Sequence, residues 1–358
     1  TQPWSLSIAS LGEHNKGLYS LGGFRIVPEA RAAREGFNPD REALELALGM
    51  EKKISWSREI RVAGPLGLAK LDKIVGGKCV LLPSKGARVG EAEDIELLTF
   101  ATECLNHFQV ETGIAVITGQ DLGHGKLSNG TATSLEFLHE QFEGSVLADT
   151  SKPTAEGNYY TLVGALNALR IPMKKARLGF VGVGNIGRQV LNRCIEGGAH
   201  VIGLEYSAKT RAELQESDIE VWEAERKHEF FKLPVDAFVI NANAGTLDTE
   251  TIIEAAENPE LKFICGCENL IMPNPGDVKI LRQHEKIYIP TEYAGMMGYL
   301  TAVEENLCAK ANKHFDVKVM FEAAKKLEPI TEDAVSYIVR NNHTLFFNEA
   351  LTAVTEVS

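Results

Sequence analysis

Nowhere in the 358 residues is there an apolar run of about 18 that could cross a bilayer, nor a tract of lysines and arginines that could follow a phosphate backbone. With a net charge of −12, neither nucleic acid nor an anionic membrane is expected as a partner. Cysteine is scarce and scattered: among Cys79, Cys104, Cys194, Cys265, Cys267 and Cys308 no pair has the two intervening residues of a zinc site, Cys265 and Cys267 having only one. Cys265 and Cys267 lie in an apolar, strand-like run, so buried free thiols are expected, with no metal and no disulfide. The opening Thr1-Gln-Pro-Trp4 has neither the charged nor the apolar stretch of a signal peptide, and a cytoplasmic location is expected.

What is present is a composition, 44% hydrophobic and 24% charged, that can build two ordinary cores. The chain is organised around Leu178-Gly-Phe-Val-Gly-Val-Gly-Asn-Ile-Gly187, where an apolar strand runs into Gly182, Gly184 and Gly187. The first glycine allows a sharp turn, the second admits a pyrophosphate to bare backbone, and the third lets helix and strand pack closely. Arg188–Ile195 reads as the helix, ended by Gly197-Gly198, and His200–Leu204 as the next strand, closing on Glu205. An acid there would bind a ribose 2′-hydroxyl and repel a 2′-phosphate, so the cofactor expected is NAD rather than NADP.

Before this unit the pattern predicts a helix from Asn38-Pro39-Asp40 with Leu44, Ala47 and Leu48 as its buried face, then a loop-like segment Ile54–Lys73 without clear period. A strand Ile74–Leu82, a helix Glu91–Phe108 and a strand Ile114–Thr118 follow. After Glu205, strands at Asp236–Ile240, Lys262–Cys267 and Ile287–Ile289 alternate with helices, which is the pattern of a parallel doubly wound sheet. The fold class expected is α/β in two domains. An N-terminal α/β substrate and oligomerisation domain takes residues 1–150 plus about 331–358, and a Rossmann dinucleotide-binding domain takes 151–330. Asp333–Ala353 is read as one long helical stretch that returns to the first domain.

Three side chains in the first domain carry chemistry. Lys78 follows Gly76-Gly77, whose missing side chains would let a substrate approach, and a partly desolvated lysine there can act as a base or stabilise a carbinolamine. Asp121, at a strand end beside glycines, can carry protons to or from an amine or water. Lys53 can hold a substrate carboxylate as a point charge. Gly22 and Gly23 are placed with Lys53 on the substrate side, as are Met296 and Met297, which hint at an apolar or aromatic substrate. The cofactor residues expected are Gly182, Gly184, Asn185, Ile186, Gly187 and Glu205, joined by Asn241, Ala242 and Asn269 from loops at the carboxyl ends of neighbouring strands.

The order Gly22-Gly-Phe-Arg25, Gly49-Met-Glu-Lys-Lys53, Gly76-Gly-Lys78, Thr118-Gly-Gln-Asp121, Gly182-Val-Gly-Asn-Ile-Gly187 and Glu205 resembles the amino acid dehydrogenase superfamily. That resemblance implies NAD-linked, reversible oxidative deamination of an L-amino acid to a 2-oxo acid and ammonia. It makes Lys53 the carboxylate-binding lysine, Lys78 and Asp121 the catalytic pair, and Asn269 a neighbour of nicotinamide and substrate. It also implies a homo-oligomer, a dimer or larger. The chain departs from the family in three places. It is longer between Lys53 and Lys78. Gly157 stands where the family's Pro-x-Thr-Ala-x-Gly motif has its threonine, and Gly295-Met-Met-Gly298 replaces an Asn-Ala-Gly-Gly turn. These departures keep two alternatives open: a dehydrogenase acting on another amine, an imine or a hydroxyl, and a nucleotide-binding homologue without turnover.

Overall fold

The computed structural model describes residues 4–119, 121–242 and 244–356. It falls into two compact units. The first takes the residues up to Arg58, Ala63–Thr150 and Tyr299–Val317; the second takes Glu59–Val62, Ser151–Gly298 and the residues from Lys318 on. The segment that returns to the first unit is therefore Tyr299–Val317 and not the C-terminal stretch. Leu327–Arg340 belongs to the second unit because it packs along the helix Ser151–Ala168, where Gly164 leaves room for the Glu328 carbonyl. Tyr293 adds an edge contact to Phe347 and a 3.0 Å hydrogen bond to Thr331.

The first unit is built on a mixed sheet of β1 (Ser5–Ser10), β2 (Tyr19–Leu21), β3 (Phe24–Ile26), β4 (Ile74–Leu82) and β5 (Ala115–Ile117). β4 is the axis. β1 pairs antiparallel along one edge, while β2 and then β3 pair parallel with successive parts of it, and β5 pairs with β2. The strand β2 passes into β3 at Gly22, where a Cβ would overlap the Gly77 carbonyl; only glycine lets the two backbones come so near. Phe24, Leu81, Leu97, Leu98, Leu105 and Phe142 fill the core beneath.

Helix Pro39–Ile60 starts as expected, with the Asn38 side chain accepting from the Arg41 amide at 2.9 Å. Its buried face differs: Ala43, Leu46 and Ala47 point inward, while Leu44 and Leu48 are exposed. The Ala47 carbonyl lies where a side chain on Gly76 would be, so the helix sits down on the sheet through its small residues. The helix also runs through the first part of the segment expected to be a loop. Beyond it come a short helix Pro65–Leu68 and a single turn Leu71–Lys73. The insertion is anchored by Glu304, 2% exposed, whose carboxylate accepts from the amides of Leu66 (3.0 Å) and Gly67 (2.7 Å) at the start of the short helix.

The second unit holds a fully parallel sheet of β6 (Arg177–Val181), β7 (His200–Glu205), β8 (Val221–Glu223), β9 (Ala237–Ile240), β10 (Phe263–Gly266) and β11 (Ile287–Tyr288). The spatial order is β11-β10-β9-β6-β7-β8, with β6 at the centre and the direction of winding reversing between β6 and β9. This is the doubly wound dinucleotide-binding order, and ligands in such sheets lie outside the carboxyl ends of the strands at the reversal. Phe230, Phe231, Phe238, Ile240 and Ile264 dominate its core. The C-terminal stretch read as one helix is two, Leu327–Arg340 and Phe347–Thr355, separated by Asn342 and His343 in the left-handed conformation. No helix among the described residues is long and apolar enough to cross a membrane.

Candidate functional site

In the first unit, Lys78 lies in the middle of β4 and is 5% exposed, with its ammonium hydrogen-bonded to the Asp121 carboxylate. Asp121 follows β5 in a positive-φ conformation (φ 73°), so the chain turns sharply and presents the carboxylate to the lysine. Desolvation pulls this carboxyl upward, but the Lys78 ammonium outweighs it, with help from Arg25 and Lys53, and holds it below the usual carboxylate range. Lys53 is buried on helix Pro39–Ile60. Its charge is the smallest of the three that act on Asp121. The insertion that follows Lys53 is tied back to β4: Arg58 pairs with Glu51 at 2.8 Å, and Glu51 accepts from the Gly76 amide at 2.6 Å.

Arg25 pairs with Glu42 at 3.0 Å, and Glu42 also takes Arg31 at 2.6 Å, so one buried acid holds two cations, a role that the motif spacing does not reveal. Arg25 thus stands braced by a buried acid within the electrostatic reach of Asp121.

The glycines before Lys78 do not open a path for a substrate. A Cβ on Gly76 would strike the backbone of Ala47 and Glu51, and one on Gly77 would strike the Ser20 hydroxyl. The space left by the missing side chains is filled by the chain itself. Gly22 is likewise required by the Gly77 carbonyl, and Gly23 accepts the Cys79 amide at 3.2 Å.

In the second unit the three glycines after β6 separate by function. Gly182 has φ +78° and a Cβ there would lie 2.7 Å from the Ala242 amide; on Gly187 it would overlap the Gly182 carbonyl. Both are demanded by internal packing. Gly184 has nothing within 4 Å of its Cβ position, so no protein atom requires a glycine there. It caps the 12-residue helix Asn185–Glu196 without any side-chain hydrogen bond, leaving the first-turn amides, those of Asn185 and Ile186 included, with no side-chain cap. Open backbone at a helix N-terminus fits a dinucleotide's pyrophosphate.

Glu205 ends β7 and braces this turn, accepting from the amides of Val183 (2.7 Å) and Ser207 (2.8 Å). Asn241 faces inward. Its side-chain oxygen accepts from Asn158 (2.7 Å) and from the amide (3.2 Å) and thiol (3.0 Å) of Cys267, which brackets the ends of β9 and β10. Asn269 is exposed just beyond β10. Beside it Glu268 is 2% exposed and grips Thr246 through its amide (3.0 Å) and hydroxyl (2.6 Å); burial pushes the carboxyl above its ordinary range. All six cysteines are free, and burial raises the thiols of Cys79 and Cys194 to about 12.

Met296 and Met297 are fully buried. Met297 rests on Gly157, whose Cβ would lie 2.7 Å from its Cγ. Thr154, one turn earlier on the same helix, is also buried. A Cβ on Gly295 would lie 2.9 Å from the Thr291 carbonyl and 3.1 Å from the Cys267 Cβ, so the chain is closely packed there too.

No protein-family model and no curated protein matches the sequence. Solved structures do match in fold. L-tryptophan dehydrogenase from Nostoc punctiforme aligns over 98% of this chain and 89% of its own, with a TM-score of 0.65 at 17% identity. A hetero-hexameric glutamate dehydrogenase from Thermus thermophilus, in a Leu-bound form, aligns over 98% and 87% with a TM-score of 0.65 at 14% identity. Glutamate dehydrogenase from Plasmodium falciparum aligns over 99% and 82% with a TM-score of 0.62 at 14% identity. The likeness spans both units, and the chain therefore has the fold of these tryptophan and glutamate dehydrogenases.

Proposed function

We propose that the protein is an NAD-dependent dehydrogenase that interconverts an L-amino acid and water with a 2-oxo acid and ammonia. The observation that carries this reading is the Lys78–Asp121 pair, whose carboxylate also feels the charges of Arg25 and Lys53. A substrate carboxylate is held by the Lys53 ammonium. Lys78 first hands its ammonium proton to Asp121 across their hydrogen bond; then neutral, it takes a proton from the substrate ammonium, releases it to solvent, and in the hydrolytic step takes one from the water that attacks Cα. Asp121 delivers the proton it received to the departing amine, which restores the starting pair. The nicotinamide, when bound, supplies the acceptor for the hydride leaving Cα. Gly184 and the helix behind it hold the pyrophosphate, Glu205 faces the adenosine ribose, and Asn269 and Thr154 lie on the nicotinamide side. The chain works as a homo-oligomer in the cytoplasm.

The test pairs a screen with a variant. Apolar, aromatic and charged L-amino acids are offered with NAD or NADP, and 2-oxo acids with ammonia and NADH. Turnover with NAD is expected, and Lys78→Ala should lower kcat by about 100- to 10,000-fold while leaving NADH affinity unchanged. NADH binding without turnover of any substrate would refute the reaction, and full activity in Lys78→Ala would refute the mechanism.

A further inference from the structure

Two large apolar side chains stand open to solvent at carboxyl ends of the parallel sheet, one on each side of the glycine turn. Tyr206 directly follows Glu205 at the end of β7 and is 81% exposed; Leu270 directly follows Asn269 beyond β10 and is 46% exposed. Neither is a loose loop residue. Arg211 donates to the carbonyls of Glu205 (2.9 Å) and Tyr206 (2.7 Å), so the backbone under the tyrosine is clamped. The Leu270 carbonyl accepts the Gly245 amide at 3.0 Å, and that of Ile271 accepts the Leu247 amide at 3.0 Å. Leu270 also has φ +54°, a conformation that L side chains rarely adopt. A leucine kept both strained and exposed loses backbone energy and gains no burial within the unit, so the benefit lies with something that covers it.

We propose that Tyr206 and Leu270 are the apolar contacts for the two ends of the dinucleotide, Tyr206 stacking on the adenine and Leu270 packing on the nicotinamide half. The proposal rests on the cofactor reading above. Between β7 and β10 lie three strand spacings, roughly 14 Å in all, with the Gly184 cradle between them. That is the span an extended dinucleotide covers when its pyrophosphate is held at the cradle. Polar and apolar roles then alternate at each end: Glu205 with Tyr206, and Asn269 with Leu270.

Isothermal titration of the full chain with ADP-ribose and with NADH separates the ends, because ADP-ribose lacks the nicotinamide. Tyr206→Ala should weaken both ligands about tenfold, and Tyr206→Phe should restore both. Leu270→Gly should weaken NADH several-fold, leave ADP-ribose unchanged, and raise Tm by about 2 °C as the strain is relieved. Parent-like ADP-ribose binding by Tyr206→Ala overturns the adenine contact. Parent-like NADH binding by Leu270→Gly, or a lower Tm, overturns the nicotinamide contact and makes Leu270 a structural residue. A parent chain that binds neither ligand removes the cofactor reading itself, and this inference with it.

Discussion

Gly184→Ala and Gly187→Ala add the same methyl group three residues apart and should fail in opposite ways. At position 187 the Cβ would lie well inside the 3.0 Å that real Cβ atoms keep from their neighbours, and the obstacle is the backbone carbonyl of Gly182, which cannot swing aside. Helix Asn185–Glu196 must retreat from β6. Overpacking of this kind costs about 1–3 kcal/mol, or a fall in Tm of roughly 2–12 °C for a unit of this size. At position 184 nothing lies within 4 Å, so the methyl meets only solvent and the cost is that of alanine at a helix cap, below about 1 kcal/mol. Yet this is where the pyrophosphate is proposed to come against the backbone. Thermal melts and NADH titrations on both variants settle the matter. Gly187→Ala should melt lower, whereas Gly184→Ala should melt close to the parent and bind NADH at least tenfold more weakly. Parent-like NADH affinity in Gly184→Ala would refute the cradle, and a parent-like melt in Gly187→Ala would refute the packing argument.

Glu304→Ala removes the carboxylate that holds the amides of Leu66 and Gly67 and should destabilise the first unit by about 2–4 kcal/mol, read by urea denaturation; an unchanged midpoint would mean that the insertion is anchored elsewhere. Glu268 has its carboxyl raised by burial, so the fold favours the protonated form. That contribution is whole below the unfolded value of about 4.3 and is lost as pH rises through the folded value. Glu268→Gln keeps the shape without the charge, so its Tm relative to the parent should climb between pH 4 and pH 8. A difference that stays flat with pH would show that the buried charge costs nothing.

The sequence was legible where local pattern and tertiary role agree. The apolar runs of β4, β6, β9 and β10 are buried strands, that of β7 is a half-buried one, and the glycine turn has the chain geometry its spacing implies. It was misleading where packing chose between equal candidates. Leu44 and Leu48 are more hydrophobic than Ala43, but the helix is seated with Ala43, Leu46 and Ala47 inward and its backbone at Ala47 and Glu51 against Gly76, so these two leucines face outward. β8, three residues long, has too little pattern to stand out. The segment Tyr299–Val317 returns to the first unit through Glu304, Glu305 and Asn306, whose polar partners are backbone groups far away in the chain, and no spacing rule reveals them. In the candidate site, Lys78 and Asp121 could be paired by motif order, whereas the charge of Arg25 on that pair and the inward turn of Asn241 depend on three-dimensional placement.

The filling of Gly76 and Gly77 by the chain's own backbone and by Ser20 bears on how such a protein can change over time. Lys78 rides on a stretch of β4 whose neighbouring positions are committed to the scaffold, so substitutions that remodel substrate preference have nothing to gain there. Selectivity can be altered at positions that carry no such commitment while the ammonium proposed to react stays in place.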